Sequence, residues 1–151
     1  MYVNERFTEN LENIKTAGKV LVDSGVYKQS ELEAKGNIVQ ERYLNIVLKE
    51  AETLLIILNK KILPRAYETL AKMPVTGTSM KQRKADFESH LETLVAESLA
   101  LEHKIKSDIS LPEAEKIRAK INDIGDLTNN VTDYLPADKD WPELYDILTR
   151  F

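Results

Sequence analysis

Two long segments of the sequence place apolar residues at alternating spacings of four and three. Residues at these spacings lie on one narrow stripe of an α-helix, and such a stripe is buried most simply against a neighbouring helix. The sequence therefore predicts an all-α fold in which long helices pack as a bundle. The stripes consist of Phe87, Leu91, Leu94, Ser98, Leu101 and Ile105, and of Ile117, Ile121, Ile124, Thr128, Val131 and Leu135.

Two further helices are predicted before these stripes. The first extends from about Glu5 to Val22, and Gly25 follows it at a position that suits a left-handed cap. The second extends from about Glu31 to Met73. Ser30-Glu31-Leu32-Glu33 is typical of a capping box, in which Ser30 caps the helix and Glu33 reaches back.

Two features interrupt the apolar stripe of this second helix. Gly36-Asn37 is expected to loosen its early part. Pro64 has no N–H and crowds the preceding turn, so it predicts a kink. Apolar positions resume beyond Pro64, which favours a kink over an end of the helix. The stripe comprises Tyr43, Ile46, Val47, Ala51, Leu54, Leu55, Leu58 and Ile62, and then Tyr67 and Leu70.

The stripes that begin at Phe87 and at Ile117 belong to two helices joined by a short connection. After a loop at residues 73–79, the third helix is predicted from about Met80 to Ser107. Ser110-Leu111-Pro112-Glu113 is a second capping box, and it opens a fourth helix that continues to about Leu135. Because so few residues separate them, the third and fourth helices should form an antiparallel hairpin.

A short C-terminal helix is predicted after Trp141, and its apolar residues must dock to be stable. Trp141, Tyr145 and Phe151 are its expected anchors. The docking surface could be this chain's own helices or a neighbouring subunit or catalytic domain, and the first is favoured. We therefore predict a single helical domain over residues 1–151, with about four long helices, one kinked at Pro64, plus this short helix. Tyr43, Leu54 and Pro64 complete the residues expected to act in packing.

Composition restricts the class of protein. A net charge of −4 gives no basic field for nucleic acid, and the chain contains no cysteine for disulfide or thiolate chemistry. The N-terminus does not resemble a signal peptide, and the aliphatic run at residues 54–58 is too short for a membrane span. We expect a cytoplasmic protein that binds neither nucleic acid nor membrane.

Residues suited to catalysis are scarce. The two histidines, His90 and His103, lie in no metal-binding pattern, and no glycine-rich phosphate loop or nucleophile elbow occurs. Basic clusters at residues 60–65 and 81–84 are better read as solvated faces than as a nucleic-acid surface. We therefore expect no catalytic, cofactor-binding or metal-binding residue in this chain.

One stretch resembles a known family. Residues 41–64 carry a tyrosine, an Asn-Ile pair, Glu50-Ala51 and a closing Ile62-Leu63-Pro64, which resemble a signature near the C-terminus of type III glutamine synthetases. Residues 25–34 resemble an element that precedes this signature in the family, and residues 141–151 resemble its closing element. Val47 and Leu48 replace a more polar pair of the family's pattern.

The resemblance implies a non-catalytic structural and assembly domain of an ATP-dependent glutamate–ammonia ligase. In that family the ligands of ATP, metal and glutamate belong to a separate catalytic domain, so no catalytic residue is transferred to this chain. The implied partners are that catalytic domain or neighbouring subunits, with a homo-oligomer as one form. The alternative is a free-standing helical protein–protein interaction module, and a third and weaker hypothesis is a bundle enzyme.

Overall fold

A computed structural model describes the backbone of residues 2–136 and the side chains of residues 12–136. The described residues contain α-helices and one π-helical turn but no strand, so the all-α fold is confirmed. The π-helical turn joins α2 to α3 without a break. Counted as one continuous helix, these elements and the other three helices give the four long helices that were predicted. The elements are α1 (Tyr2–Asp23), α2 (Gln29–Ile57), the π-helical turn (Leu58–Ile62), α3 (Leu63–Lys72), α4 (Thr78–Ile105) and α5 (Leu111–Thr132).

The chain divides into two compact units. Unit 1, Met1–Asn45, contains α1 and the first part of α2. Unit 2, Ile46–Phe151, contains the rest of α2, the π-helical turn, α3, α4 and α5. The single domain expected over residues 1–151 stays a prediction, and the short C-terminal helix expected after Trp141 lies outside the described residues.

The end of α1 is closed by Gly25, as predicted. Gly25 has a φ of 75°, which glycine adopts without the steric cost that a Cβ would bring. Its N–H donates to the Val22 carbonyl at 3.0 Å, and the Val26 N–H donates to the Leu21 carbonyl at 3.0 Å. This pair of bonds is a Schellman motif, so two carbonyls that the helix leaves free find donors.

The start of α2 differs from the prediction. The helix begins at Gln29, so Ser30 lies inside its first turn instead of capping it. The Glu31 carboxylate accepts the backbone N–H of Lys28 at 3.1 Å, and Glu33 accepts from the side chain of Gln29. The predicted capping box at Ser30 and Glu33 is therefore wrong, because Glu31 satisfies the backbone of Lys28 and begins the helix two residues earlier. The helix also passes through Gly36-Asn37 without a break.

The irregularity predicted at Pro64 takes the form of the π-helical turn that precedes it. The Leu63 N–H donates to the Leu58 carbonyl, a wider spacing than in an α-helix. Pro64, which has no N–H, then occupies the first turn of α3, where a missing donor costs least. No loop follows Leu63, so the prediction that the helix continues through the proline is confirmed.

The apolar stripe of α2 and α3 is buried along most of its length. Ile46 and Tyr67, which were predicted to belong to it, are instead exposed. Their neighbours Val47 and Ala66 take the buried positions, because a helix of this width buries only one face of each turn. The buried members of this helix are Tyr43, Val47, Ala51, Leu54, Leu55, Leu58, Ile62, Leu63 and Ala66.

The hairpin of α4 and α5 was predicted and is confirmed. The two helices pack against each other, and Lys120 of α5 donates to Glu97 of α4 at 2.9 Å. Nearer the other end of the pair, Phe87 of α4 stacks on Tyr134, which follows α5. The contacting residue in α4 has a lower number where the contacting residue in α5 or beyond it has a higher one. The two helices therefore run antiparallel.

The core of this hairpin follows the predicted heptad stripes. Ile105, Ile121 and Leu135, which were predicted to belong to these stripes, are only partly buried. Ser98 and Thr128 are buried polar members, and each hydroxyl donates to the carbonyl four residues before it. The fully buried apolar members are Phe87, Leu91, Leu94, Leu101, Ile117, Ile124 and Val131.

Candidate functional site

An aromatic cluster closes the end of unit 2 where α4 begins and α5 ends. The Tyr134 ring stacks on Phe87 with centroids 4.8 Å apart and planes 9° apart. The Arg83 guanidinium lies 5.3 Å from the centre of the Tyr134 ring, within cation–π range. His90 lies 6.0 Å from the same ring. Tyr134 therefore stacks on the core residue Phe87, with the Arg83 guanidinium over its ring and the His90 ring close by.

A groove of about 1020 Å³ opens beside this cluster, and we call it the end groove. Its walls combine the first three turns of α4 with the last turn of α5 and the residues that follow. The groove is open to solvent and carries both charge signs, because Arg83, Asp86 and Asp133 all line it. Its lining is Thr78, Ser79, Met80, Gln82, Arg83, Asp86, His90, Asn130, Asp133 and Tyr134.

A second groove, of about 600 Å³, lies in unit 1 between α1 and the first part of α2. The two helices approach closely at Gly18, where an added Cβ would overlap the side chain of Leu32. Ile14, Val22 and Val39 contribute apolar surface to the groove, and Lys15 and Glu33 contribute charge. This groove is therefore amphipathic, which is typical of a surface that contacts another protein segment.

Unit 1 also exposes four large aliphatic side chains among its described residues. Ile38 of α2 is 63% exposed, and three further aliphatic residues are exposed nearby in the sequence. Single exposed apolar residues are normal on a protein surface, and they are the side chains that a partner would cover on binding. The residues are Ile14, Val20, Val26 and Ile38.

The pKa is lowered at three surface carboxyls, and each has a structural cause. Hydrogen bonds from the Ser110 backbone, and then from its hydroxyl, lower the pKa of Glu113. Hydrogen bonds from Lys72 and Lys106 lower the pKa values of Glu68 and Glu102, each four residues along the same helix. None of the three lines the end groove or the unit 1 groove. Helix capping and helix-surface pairs account for all three shifts.

The residues proposed from the sequence occupy different places. Tyr43 and Leu54 are buried in α2, whereas Pro64 is exposed at the start of α3. Trp141, Tyr145 and Phe151 lie outside the described residues. Among the described residues, no group of three or more acidic or histidine side chains could hold a metal ion. None of the helices described between residues 2 and 132 is both long and apolar enough to cross a membrane.

A match to a protein-family model identifies the family of this chain. The model of the glutamine synthetase C-terminal domain matches residues 3–84, more than half of the chain. The chain belongs to the glutamine synthetase C-terminal domain family. No curated protein and no solved structure matches the chain.

The match to the glutamine synthetase C-terminal domain covers unit 1 from residue 3 onward and part of unit 2. It extends through α1, α2, the π-helical turn, α3 and the first residues of α4. The two sequence elements at residues 25–34 and 41–64 lie inside the match, and the closing element at 141–151 lies outside it. The unit 1 groove and the exposed aliphatic residues therefore lie within the matched part.

Two surface features were not found from the sequence. Tyr134 was not singled out, although its position three residues beyond Val131 continues the face of α5 toward Phe87. The unit 1 groove was also missed, because its width depends on the close approach at Gly18. The available signal was the glycine itself, because Gly18 lies in the interior of α1, where glycine disfavours the helix.

Proposed function

We propose that the chain is the C-terminal helical domain of a type III glutamine synthetase, with a structural and assembly role and no catalysis of its own. The observation that carries this proposal is the family match over residues 3–84, which includes both elements that resemble the type III signature. ATP, divalent metal and glutamate would bind to the catalytic domain of the synthetase. The cytoplasmic localisation expected from the sequence belongs to the same proposal.

The partner in this proposal is the catalytic part of the synthetase or a neighbouring subunit. The exposed aliphatic residues of unit 1 support such a contact, since they lie within the matched part of the chain. Burying them against a partner would remove apolar surface from water, which is the main favourable term in association. Tyr43 and Leu54 would act inside the helical region, where their burial stabilises the helix that carries the contact surface.

Two matched substitutions test this proposal. Ile38→Asp places a charge on the exposed face of unit 1, and Leu99→Asp places the same charge at a residue 53% exposed and outside the family match. Binding to the purified catalytic part of a type III synthetase is measured by calorimetry. We expect Ile38→Asp to weaken binding by about tenfold or more, or about 1.4 kcal/mol, and Leu99→Asp to leave it unchanged.

The outcomes separate the proposal from its alternative. Equal binding by both variants would show that unit 1 is not the contact surface. A complete lack of binding by the unaltered chain would remove the synthetase role and leave the free-standing interaction module. Purified chain that forms glutamine or hydrolyses ATP with divalent metal, and loses that activity through a point substitution, would contradict the non-catalytic role.

A further inference from the structure

One segment of unit 2 carries positive charge alone. Residues 53–67 extend from the end of α2 through the π-helical turn into α3, and they contain three basic residues and no acidic one. Lys60 and Lys61 of the π-helical turn are exposed, and so are Ile56 before them and Tyr67 after them. We call the surface formed by these four residues the basic face. Its charge is opposite to that of the whole chain, which is −4.

The two lysines of the basic face have no counter-charge within the described part of the chain. A lysine on a helix surface often pairs with a carboxylate three or four residues away, as Lys72 does with Glu68. No acidic residue occupies these positions around Lys60 or Lys61. Neither lysine forms an ion pair or hydrogen bond with a described side chain. A partner that supplies carboxylates would therefore break no existing ion pair there.

The exposed side of α5 carries the complementary charge. Residues 121–136 contain three aspartates and no lysine or arginine. Asn122, Asp123, Asp126 and Asn130 are all exposed, and their helical spacing places them on one side of α5, which we call the acidic face. Asp123 and Asp126 form no ion pair with the described residues. All four side chains offer oxygens that accept hydrogen bonds, as the lysine ammonium groups require.

We propose that the basic face binds the acidic face of a second copy of this chain. Lys60 and Lys61 would pair with Asp123 and Asp126, and the contact would cover part of Ile56 and Tyr67. Each copy has a net charge of −4, but that charge is spread over its surface, whereas the paired groups are in contact. The proposal is independent of the synthetase role, because it uses residues of unit 2 alone.

The dependence of this association on salt follows from the kind of contact. Exposed ion pairs contribute little each, and salt screens them. The association is therefore weak, and it strengthens as the ionic strength falls. Analytical ultracentrifugation of the full-length chain measures it at about 20 mM and about 500 mM salt, where the screening length falls from roughly 20 Å to roughly 4 Å. We expect self-association at the lower salt concentration and its loss at the higher one.

Charge reversal identifies the two faces. Lys60→Glu with Lys61→Glu, and separately Asp123→Lys with Asp126→Lys, should each weaken association at low salt by about tenfold or more, because two attractive pairs become repulsive. The chain with all four substitutions has the net charge of the unaltered chain and again has complementary faces. It should therefore associate as the unaltered chain does.

Glu88→Lys with Glu92→Lys is the matched control. It makes the same charge change as the aspartate reversal, at two exposed residues of α4, and should not weaken association. Far-ultraviolet circular dichroism establishes that each variant is folded. Three results would overturn the proposal: an unaltered chain that stays monomeric at low salt, a control that weakens association as much as the aspartate reversal does, or a folded chain with all four substitutions that stays monomeric.

Discussion

Ser110 and Glu113 define the residue at which α5 begins. The Glu113 carboxylate accepts the Ser110 backbone N–H at 2.8 Å and the Ser110 hydroxyl at 2.7 Å. Together with Pro112 in the first turn, this is the capping box that was predicted. By contrast, Ser30 lies inside the first turn of α2, where the Glu31 carboxylate accepts the backbone N–H of Lys28, the residue before the helix. The two serines, alike in sequence context, therefore have different roles.

Alanine substitution should distinguish these two serines. Ser110→Ala removes a capping residue and should lower the free energy of unfolding by about 1 kcal/mol. Ser30→Ala should change it by only a few tenths of a kcal/mol, because alanine is a better helix former than serine within a first turn. Chemical denaturation midpoints give both values. Equal losses at the two positions would show that Ser30 caps α2 after all.

The capping box also predicts a dependence of stability on pH. Hydrogen bonds from Ser110 hold the pKa of Glu113 below its ordinary value of 4.5. A carboxyl with a lowered pKa stabilises the folded chain above its unfolded pKa, and this contribution is lost as the pH falls through the folded value. The destabilisation by Glu113→Gln should therefore be full at neutral pH and vanish in acid.

Glu115→Gln is the matched control for that measurement, since it removes the same charge two residues farther along α5. Its effect on the unfolding free energy should be smaller at neutral pH than that of Glu113→Gln. A Glu113→Gln effect that stays constant from neutral to acidic pH would contradict the assigned hydrogen bonds.

At Gly18 the side chain of Leu32 leaves no room for a larger residue. Alanine at a helical glycine normally gains about 1 kcal/mol, but here the new Cβ would overlap Leu32. We expect Gly18→Ala to be stabilising in a Leu32→Ala background and clearly less favourable in the unaltered chain. A double-mutant cycle measures this coupling, and additive effects would show that Leu32 simply turns away.

At the scale of elements, most boundaries could be predicted from the sequence. The heptad stripes of α4 and α5 specify their buried residues because each helix buries one narrow face. The π-helical turn was not predicted in its form, because steps of four between buried residues also occur in the regular helix, at Tyr43, Val47 and Ala51. Across the turn the buried positions are Leu58, Ile62, Leu63 and Ala66. The extra residue is absorbed by the wider turn.

This account of the turn can be tested by deletion. Removing the exposed Lys60 in a Pro64→Ala background should let the turn become α-helical, with the buried residues on both sides kept in register. Removing the exposed Ala96 from α4, in the same background, should rotate half of its stripe by about 100° out of the hairpin core. Thermal unfolding should show a much smaller loss for the Lys60 deletion. A comparable loss would mean that the turn itself is required.

At the scale of the whole molecule, the sequence predicted the all-α fold and the helical hairpin of unit 2. It did not predict the two grooves, because each arises where separate helices approach and depends on side chains distant in sequence. The predicted burial of Ile46 and Tyr67 was wrong for a related reason. The helical spacing of apolar residues does not decide which edge of a broad stripe packs against a neighbouring helix. The family resemblance supplied the functional hypothesis, which composition and spacing alone did not reach.

The assembly role proposed for this chain requires that it binds the catalytic part of a glutamine synthetase. Size-exclusion chromatography with light scattering, on a mixture of the purified chain and the catalytic part of a type III synthetase, measures this binding. We expect one species whose mass includes both proteins, and glutamine synthesis only in fractions that contain the catalytic part. Separate elution of two species, each with the mass it has alone, would refute the assembly role.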